Sequence, residues 1–336
     1  MPVSTTPNEL LRPGIESTSI LSESFPFRAG VAVVSSDLIT LGVVLAILAG
    51  LLLALQSLTI RYGTVTARSS DALVVVLLVN LAVLVPIAVL FGKAPTGSRG
   101  DLYGVAAFAG AGIAGVVFGR ALHFEGIRRV GASRADAIKA SQPLHASLIA
   151  VIVLNEVVTL GHLLAMVAIV AGVALITAEY RTGAKAGTAH LRDLSIPFAA
   201  ALFFGLEPVF MSLGIQSDLS IWTGLATVTV SGTVAYALYL RIRGDVPRPW
   251  TFDRRELAWL VTAGLVNTGF LVAFYLALQL ESVSLVVPLL QLSPLFVIGI
   301  SALVVRDSLE RITVRLVVAS IIVVIGAIGV TLLRAP

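Results

Sequence analysis

Residues 139–156 read KASQPLHASLIAVIVLNE. A lysine and a Ser-Gln-Pro triplet open a run that is otherwise apolar and stops at Asn155 and Glu156. Proline has no N–H, so in a helix the carbonyl four residues earlier loses its partner. For Pro143 that carbonyl belongs to Lys139. In water the loss is a local matter. In a bilayer core the freed carbonyl has to meet a neighbour, water or cargo. What this stretch does therefore depends on the solvent around it.

Composition decides that solvent. Of 336 residues, 57% are hydrophobic and 12% charged, and the mean hydropathy is +0.98. Soluble domains carry about 25% charged residues. The solvent is therefore mostly lipid, and the stretch is part of a membrane-spanning helix. Net charge is +4, with pI near 9.7. The basic residues sit between apolar runs, where membrane proteins keep them, so nucleic acid is not an expected partner. The absence of cysteine excludes disulfides, thiolate metal sites and thiol catalysis. Residues 1–36 are polar and mixed and read as a disordered tail. They show no signal-peptide pattern, and Glu9, Glu16 and Glu23 are out of place in a transit peptide.

Working outward, ten apolar runs are long enough to cross a bilayer as helices. They lie at 38–60, 71–91, 102–121, 135–154, 159–179, 194–215, 220–241, 257–278, 283–304 and 312–333. Their all-round apolarity argues for helices rather than barrel strands. The runs form two similar sets of five. GLLLALQSLTI from Gly50 matches GLEPVFMSLGI from Gly205. FGRALHFE at the end of the third run matches FYLALQLE at the end of the eighth. Pro143 matches Pro294, and 13 residues later Glu156 stands opposite Asp307; Glu310 is the alternative match, since Glu156-x-x-Thr159 mirrors Glu310-x-x-Thr313. Five is odd, so two such units in one chain run in opposite senses across the membrane. Inverted repeats of this kind build many secondary transporters, with the substrate near mid-membrane between the halves. The expected organisation is a tail at 1–36, a first five-helix repeat at 37–180, a linker at 181–193 and a second repeat at 194–334.

Ala121-Leu122, Pro143, Glu156-x-x-Thr159 and Gly172 recur as Ala277-Leu278, Pro294, an acid with Thr313, and Gly326. In this the chain resembles the drug/metabolite transporter superfamily, and within it the ten-helix EamA-type permeases. The resemblance covers about residues 38–334. It implies an all-α integral membrane protein that exports a small metabolite, amino-acid-like or otherwise polar or amphiphilic. It departs from the family between Ala121 and Pro143, a stretch about five residues longer than its counterpart and carrying Arg128, Arg129 and Arg134.

The candidate translocation residues are the polar groups that cannot be moved out of the oil. Ionisable residues inside a span cost about 2.5–3.5 kcal/mol each and usually face a cavity or a partner. Lys139 and Glu207 are the two such residues, one in each half. They read as an anchor for a charged or zwitterionic solute, as a proton carrier, or as a structural ion pair; Lys139 could also reach the interface. Pro143 and Pro294 should kink their helices, with Gln142 and Ser293 directly before them, and Pro208 should free the carbonyl of Phe204. Asn80, Asn267 and Gln291 lie at mid-depth and Gln56 further along its span. Each either touches solute or ties two helices together. His123 and His145 read as packing residues, and Glu125, Glu156 and Glu281 as helix-end groups. A row of small residues in the third run, Ala107, Ala111, Gly115 and Gly119, lets backbones approach and reads as internal packing, with a dimer seam as the alternative.

Loops after odd-numbered runs hold 17 Lys and Arg, including Arg120; the even loops and both tails hold five. The positive-inside rule places the odd loops in the cytoplasm and both termini outside, whereas the family resemblance implies termini inside. No phosphate-binding G-x-x-x-x-G-K-[ST] loop is present, so the chain does not spend nucleotide itself. No H-E-x-x-H or G-x-S-x-G motif points to an enzyme. The reading is a secondary-active transporter in the plasma membrane, without cofactor or metal, as a monomer or homodimer. Its partners are a small solute, the lipid bilayer and, as one coupling option, protons. The alternative is a channel-like or scaffold protein.

Overall fold

The computed structural model describes residues 36–64, 69–130, 132–179, 191–245, 252–304 and 314–333. The expected tail, most of the linker, and Asp307, Glu310 and Thr313 lie outside these. Among the described residues there are helices and no strands. In chain order they are α1 (Ser36–Gly63), α2 (Ser69–Phe91), α3 (Arg99–Gly112), a π-helical stretch (Ile113–Gly119), α4 (Arg120–Val130), α5 (Ala132–Lys139), α6 (Gln142–Val153), α7 (Leu160–Glu179), α8 (Leu191–Ile215), α9 (Ile221–Arg243), α10 (Arg254–Leu280), α11 (Val283–Leu290), α12 (Ser293–Val304) and α13 (Val314–Leu332). Seven spans are long and apolar enough to cross a membrane, and three shorter apolar helices lie at Gln142–Val153, Leu160–Leu175 and Val317–Leu332. Together they account for the ten runs.

Three features differ from the sequence reading. The fourth and ninth runs are broken rather than kinked: α5 ends at Lys139 before α6, and α11 ends at Leu290 before α12. The third helix does not stop near residue 121 but continues through α4, carrying Arg120 inside it. Hydropathy falls there because Arg120 and His123 are polar, and that fall reads as a span end even though the backbone stays helical. Pro208 does not interrupt α8, which runs on to Ile215.

Contacts between helices come in swapped pairs. α1 packs on α10, α11 and α12; α8 packs on α3, α4 and α6. α2 pairs with α9, and α7 with α13. Exchanging the two halves exchanges these contacts, as two units related by a two-fold axis require. The α7–α13 seam shows this at atomic scale. A Cβ on Gly172 would stand 2.9 Å from the carbonyl of Ala319, and one on Gly326 would stand 2.8 Å from the carbonyl of Ala165. Each glycine lets the partner backbone come close, and each is the other's counterpart in the repeat. Outward faces of α7, α9 and α13 leave Leu164, Val234 and Ile325 exposed, as surfaces solvated by acyl chains should be.

The row of small residues packs internally. Ala107 and Ala111 are buried, Gly115 lies against the carboxylate of Glu207, and Gly119 lies against the ring of Phe204.

Candidate functional site

Phe204, on α8 one turn before Glu207, is the hub of the site. Pro208 has no N–H, so the Phe204 carbonyl has no helical partner. Gln142, the first residue of α6, donates its Nε2–H to that carbonyl at 3.1 Å. A side chain of one half thus satisfies a carbonyl that a proline of the other half sets free. The Lys139 ammonium sits over the Phe204 ring, 4.7 Å from its centroid, in cation–π geometry. The His123 ring stands edge-on to the same ring at 6.2 Å.

A second bond across the halves closes the break in the fourth span. Gln291 donates Nε2–H to the Ala140 carbonyl at 3.2 Å. That carbonyl lies one residue beyond the expected one of Lys139. The chain turns at Ala140 and Ser141 before the new helix begins, with Ser141 N–H bonding to Ile138 at 3.0 Å, so two carbonyls lose helical partners there. The ninth span breaks in the same way: Gln291 and Leu292 donate back to Pro288 and Leu289, and α12 restarts from Leu292.

Glu207 points at the third span. A Cβ on Gly115 would overlap its carboxylate, so the glycine makes the room that the acid occupies. The π-helical stretch containing Gly115 ends at Arg120, whose N–H bonds back to the Gly115 carbonyl. Such stretches are rare and are frequently found at functional sites. Arg120 is the first electrostatic partner of Glu207, and Lys139 the second. Among the described residues none of the three is in a direct ion pair with another. Each of the three keeps part of its surface exposed.

The remaining candidates fall elsewhere. Pro143 and Ser293 are buried at the starts of their helices, and Pro294 is half-buried. Asn80 accepts a hydrogen bond from Thr268 Oγ1 at 3.1 Å, which ties α2 to α10. Asn267 beside it is 3% exposed, and its Oδ1 has no partner. Among the described residues no hydrogen bond joins Asn80, Asn267 or Ser293 to the charged group. Thus Lys139, Gln142, Glu207 and Gln291 come together around the two breaks, while the asparagines form a separate polar layer between α2 and α10.

Arg120 belongs to the site although the sequence reading put it in a loop. His123 packs there as a hydrogen-bonded residue. It bonds Asp136 on α5 from Nε2 at 3.0 Å, and Asp136 is the leading electrostatic partner of Lys139. One signal in the sequence pointed here: Gly115 and Gly119 lie one turn apart just before Arg120, a close-approach surface leading to a charge.

Glu156 and His162 act at the end of the bundle remote from Arg129 and Asp193. Glu156 takes the N–H groups of Val283 at 2.7 Å and Ser284 at 3.0 Å, together with the Ser284 hydroxyl. It is the N-terminal cap of α11, supplied by the other half. His162 Nε2 lies 2.8 Å from the Ser284 carbonyl.

A solved crystal structure is similar to this chain with a TM-score of 0.69 at 17% identity, over 87% of this chain and 97% of the other. That likeness shows the fold. Among curated proteins none matches. The EamA-like transporter family matches twice, over residues 40–178 and 194–332. Those two matches fall on the two sets of five helices, and the chain therefore belongs to the EamA-like transporter family, as a multi-pass membrane transporter of the drug/metabolite type.

Proposed function

We propose that the protein is a secondary-active permease of the plasma membrane that exports a small polar or amphiphilic solute, amino-acid-like in character, by alternating access. One observation carries this. Arg120, Lys139 and Glu207 are gathered where the fourth span breaks against the sixth, each partly exposed, and among the described residues none is in an ion pair with another. Charges of both signs held near each other but apart leave room for a guest with charges of its own. A structural ion pair would have closed that distance, because unpaired charges in low dielectric are costly.

Breaks in α5–α6 and α11–α12 supply the hinge points. The Ala140 carbonyl at the first break is met by Gln291, a side chain of the second break, and Gln142 at the first break reaches across to the Phe204 carbonyl of α8. Side-chain bonds are exchanged more easily than a helical ladder is re-formed, so the two halves can rock about them. Energy comes from a solute gradient, an exchanged solute or a proton. Outward direction rests on the family likeness alone.

The test is flux in proteoliposomes, with and without a pH gradient, for wild type and Glu207→Gln. Saturable wild-type uptake that loses its rate or its pH dependence in the variant supports the reading. Non-saturating, passive permeation in the wild type would make the chain a channel; unchanged flux in Glu207→Gln would remove the carboxylate from the mechanism.

A further inference from the structure

The two broken spans share one build. A shift of 151 positions carries α5 (Ala132–Lys139) onto α11 (Val283–Leu290) and α6 (Gln142–Val153) onto α12 (Ser293–Val304), end residue for end residue. The same shift carries Ala140 onto Gln291, and those two are bonded to each other. Counterparts in a two-fold pair meet only at the axis, so the axis passes through this bond. From there α5 leads to the end with the odd loops, and α11 leads to the end with both termini. The two ends are not alike. Every residue of α11 is buried, whereas Asp136, Ile138 and Lys139 of α5 are partly exposed.

A clamp on Ser284 holds α11 in place. Pro288 has no N–H, so the Ser284 carbonyl four residues earlier has no helical partner. His162 of α7, 2% exposed, meets it with Nε2 at 2.8 Å. A carbonyl only accepts, so Nε2 carries the hydrogen. Glu156 takes the N–H and the hydroxyl of the same serine. Thr159 accepts the His162 N–H at 3.1 Å and donates Oγ1–H to the Leu333 carbonyl at 2.7 Å, just past α13. The first half thus grips the N–H, the hydroxyl and the carbonyl of one residue of the second. The repeat does not reproduce this grip. Ala137, which keeps its N–H, stands opposite Pro288. With Thr159 set against Thr313 and Gly172 against Gly326, Leu316 stands opposite His162. At the odd-loop end Arg129 and Asp193 link the halves through an exposed contact of 3.4 Å, and pairs of that kind hold weakly.

Taken with the transport reading, on which this step rests, we propose that His162 and Glu156 are gate residues: their clamp on Ser284 shuts the end with the termini, and this structure is the state in which Lys139 faces the odd-loop end. Rocking about the Ala140–Gln291 axis moves the two ends most and the pivot least. The clamp therefore has to release before the charged group can face the other way. A latch built at one end only lowers the free energy of that state relative to its mirror image, so the carrier rests there until a solute binds the other state more tightly.

The native lysines supply the experiment. The chain has three: Lys93 in the loop after the second run, at the end with the termini; Lys185 in the connection between the repeats, at the odd-loop end; and Lys139. Sealed membrane vesicles of one orientation, and then inverted ones, are treated with the membrane-impermeant amine reagent sulfosuccinimidyl acetate, and acetylation at each lysine is read by mass spectrometry. In the wild type Lys139 should react from the side that labels Lys185. His162→Leu, which copies the counterpart residue, should raise the rate at Lys139 from the Lys93 side by about 5- to 100-fold, the equilibrium shift expected from one lost buried hydrogen bond. Glu156→Ala should raise it as well. If His162→Leu does not fold with the Ser284 carbonyl unmet, adding Pro288→Ala restores a helical N–H and keeps the test. Wild-type reaction from the Lys93 side alone or from neither side, or a rate from that side unchanged in the variants, overturns the gate while leaving a carrier possible. Equal reaction from both sides in the wild type marks a continuous pore and overturns the transport reading itself.

Discussion

Gly115 and Gly172 both face a neighbouring helix, and an alanine at each should do opposite things. At Gly115 the new methyl meets the far end of a flexible side chain, the Glu207 carboxylate. That carboxylate can swing away, so Gly115→Ala should unfold near the wild-type temperature while transport falls, because the acid has left its place. At Gly172 the methyl meets backbone, the Ala319 carbonyl at 2.9 Å and the Val323 nitrogen at 3.1 Å. Backbone in a packed seam cannot yield, and overpacking of this kind costs about 1–3 kcal/mol. Gly172→Ala should therefore lower the melting temperature in detergent, and any surviving folded fraction should transport normally. Parallel thermal melts and flux assays check both; a Gly115→Ala protein that melts early but transports at full rate contradicts the placement of Glu207. The charges at Lys139 and Glu207 were legible as candidates because nothing else in an apolar run explains them. Arg120 was not, because a basic residue at the apparent end of a span looks like an ordinary interface residue. Only the continuation of the helix through Ile113–Gly119 into α4 shows that it lies within.

At the scale of elements, the fourth and ninth spans are each two helices, and a glutamine at each break bonds to the other half. Pro143 and Pro294 made the interruptions readable, since the missing N–H is fixed by chemistry. What the two glutamines bond was not readable, because Gln142 and Phe204 are 62 positions apart and Gln291 and Ala140 are 151 apart. Glu156 teaches the same lesson. Its helix-end role followed from its place after the fourth run, but the helix it caps begins 127 residues later. Ser282 stands at the cap position of α11 with no side-chain bond to the helix's N–H groups, so Glu156 is what satisfies the first of them. Removing such a cap costs about 0.5–2 kcal/mol. Because the cap also fastens α11 to the other half, Glu156→Ala should loosen that end of the bundle beyond the simple loss of stability. The chain has no cysteine, so a single Ser282→Cys probe reports cleanly. It should react faster with a membrane-impermeant maleimide in the Glu156→Ala background than in its absence. Equal rates would show that the cap holds no gate.

Across the whole molecule, the repeat was legible because the same glycines, prolines and Ala-Leu pairs recur in order, and the swapped packing of α1 with α10 and of α8 with α3 follows from it. Orientation is the remaining property of the molecule as a whole, and charge argues it. The end of the bundle that carries the odd loops holds Arg129, which donates to Glu125 at 2.7 Å and to Asp193 of the second repeat at 3.4 Å. Exposed pairs of this kind contribute little to stability, so these basic residues are free to serve topology instead. Moving Arg120 from the loop into the helix removes one charge from the 17 assigned to the odd loops and leaves the excess over the other side large. The positive-inside rule then sets the odd loops in the cytoplasm and both termini on the far side. A reporter enzyme that works only in the cytoplasm should be silent when fused after Pro336 and active when inserted into the 180–190 connection. The opposite pattern would mean that insertion of this chain is governed by something other than its loop charges.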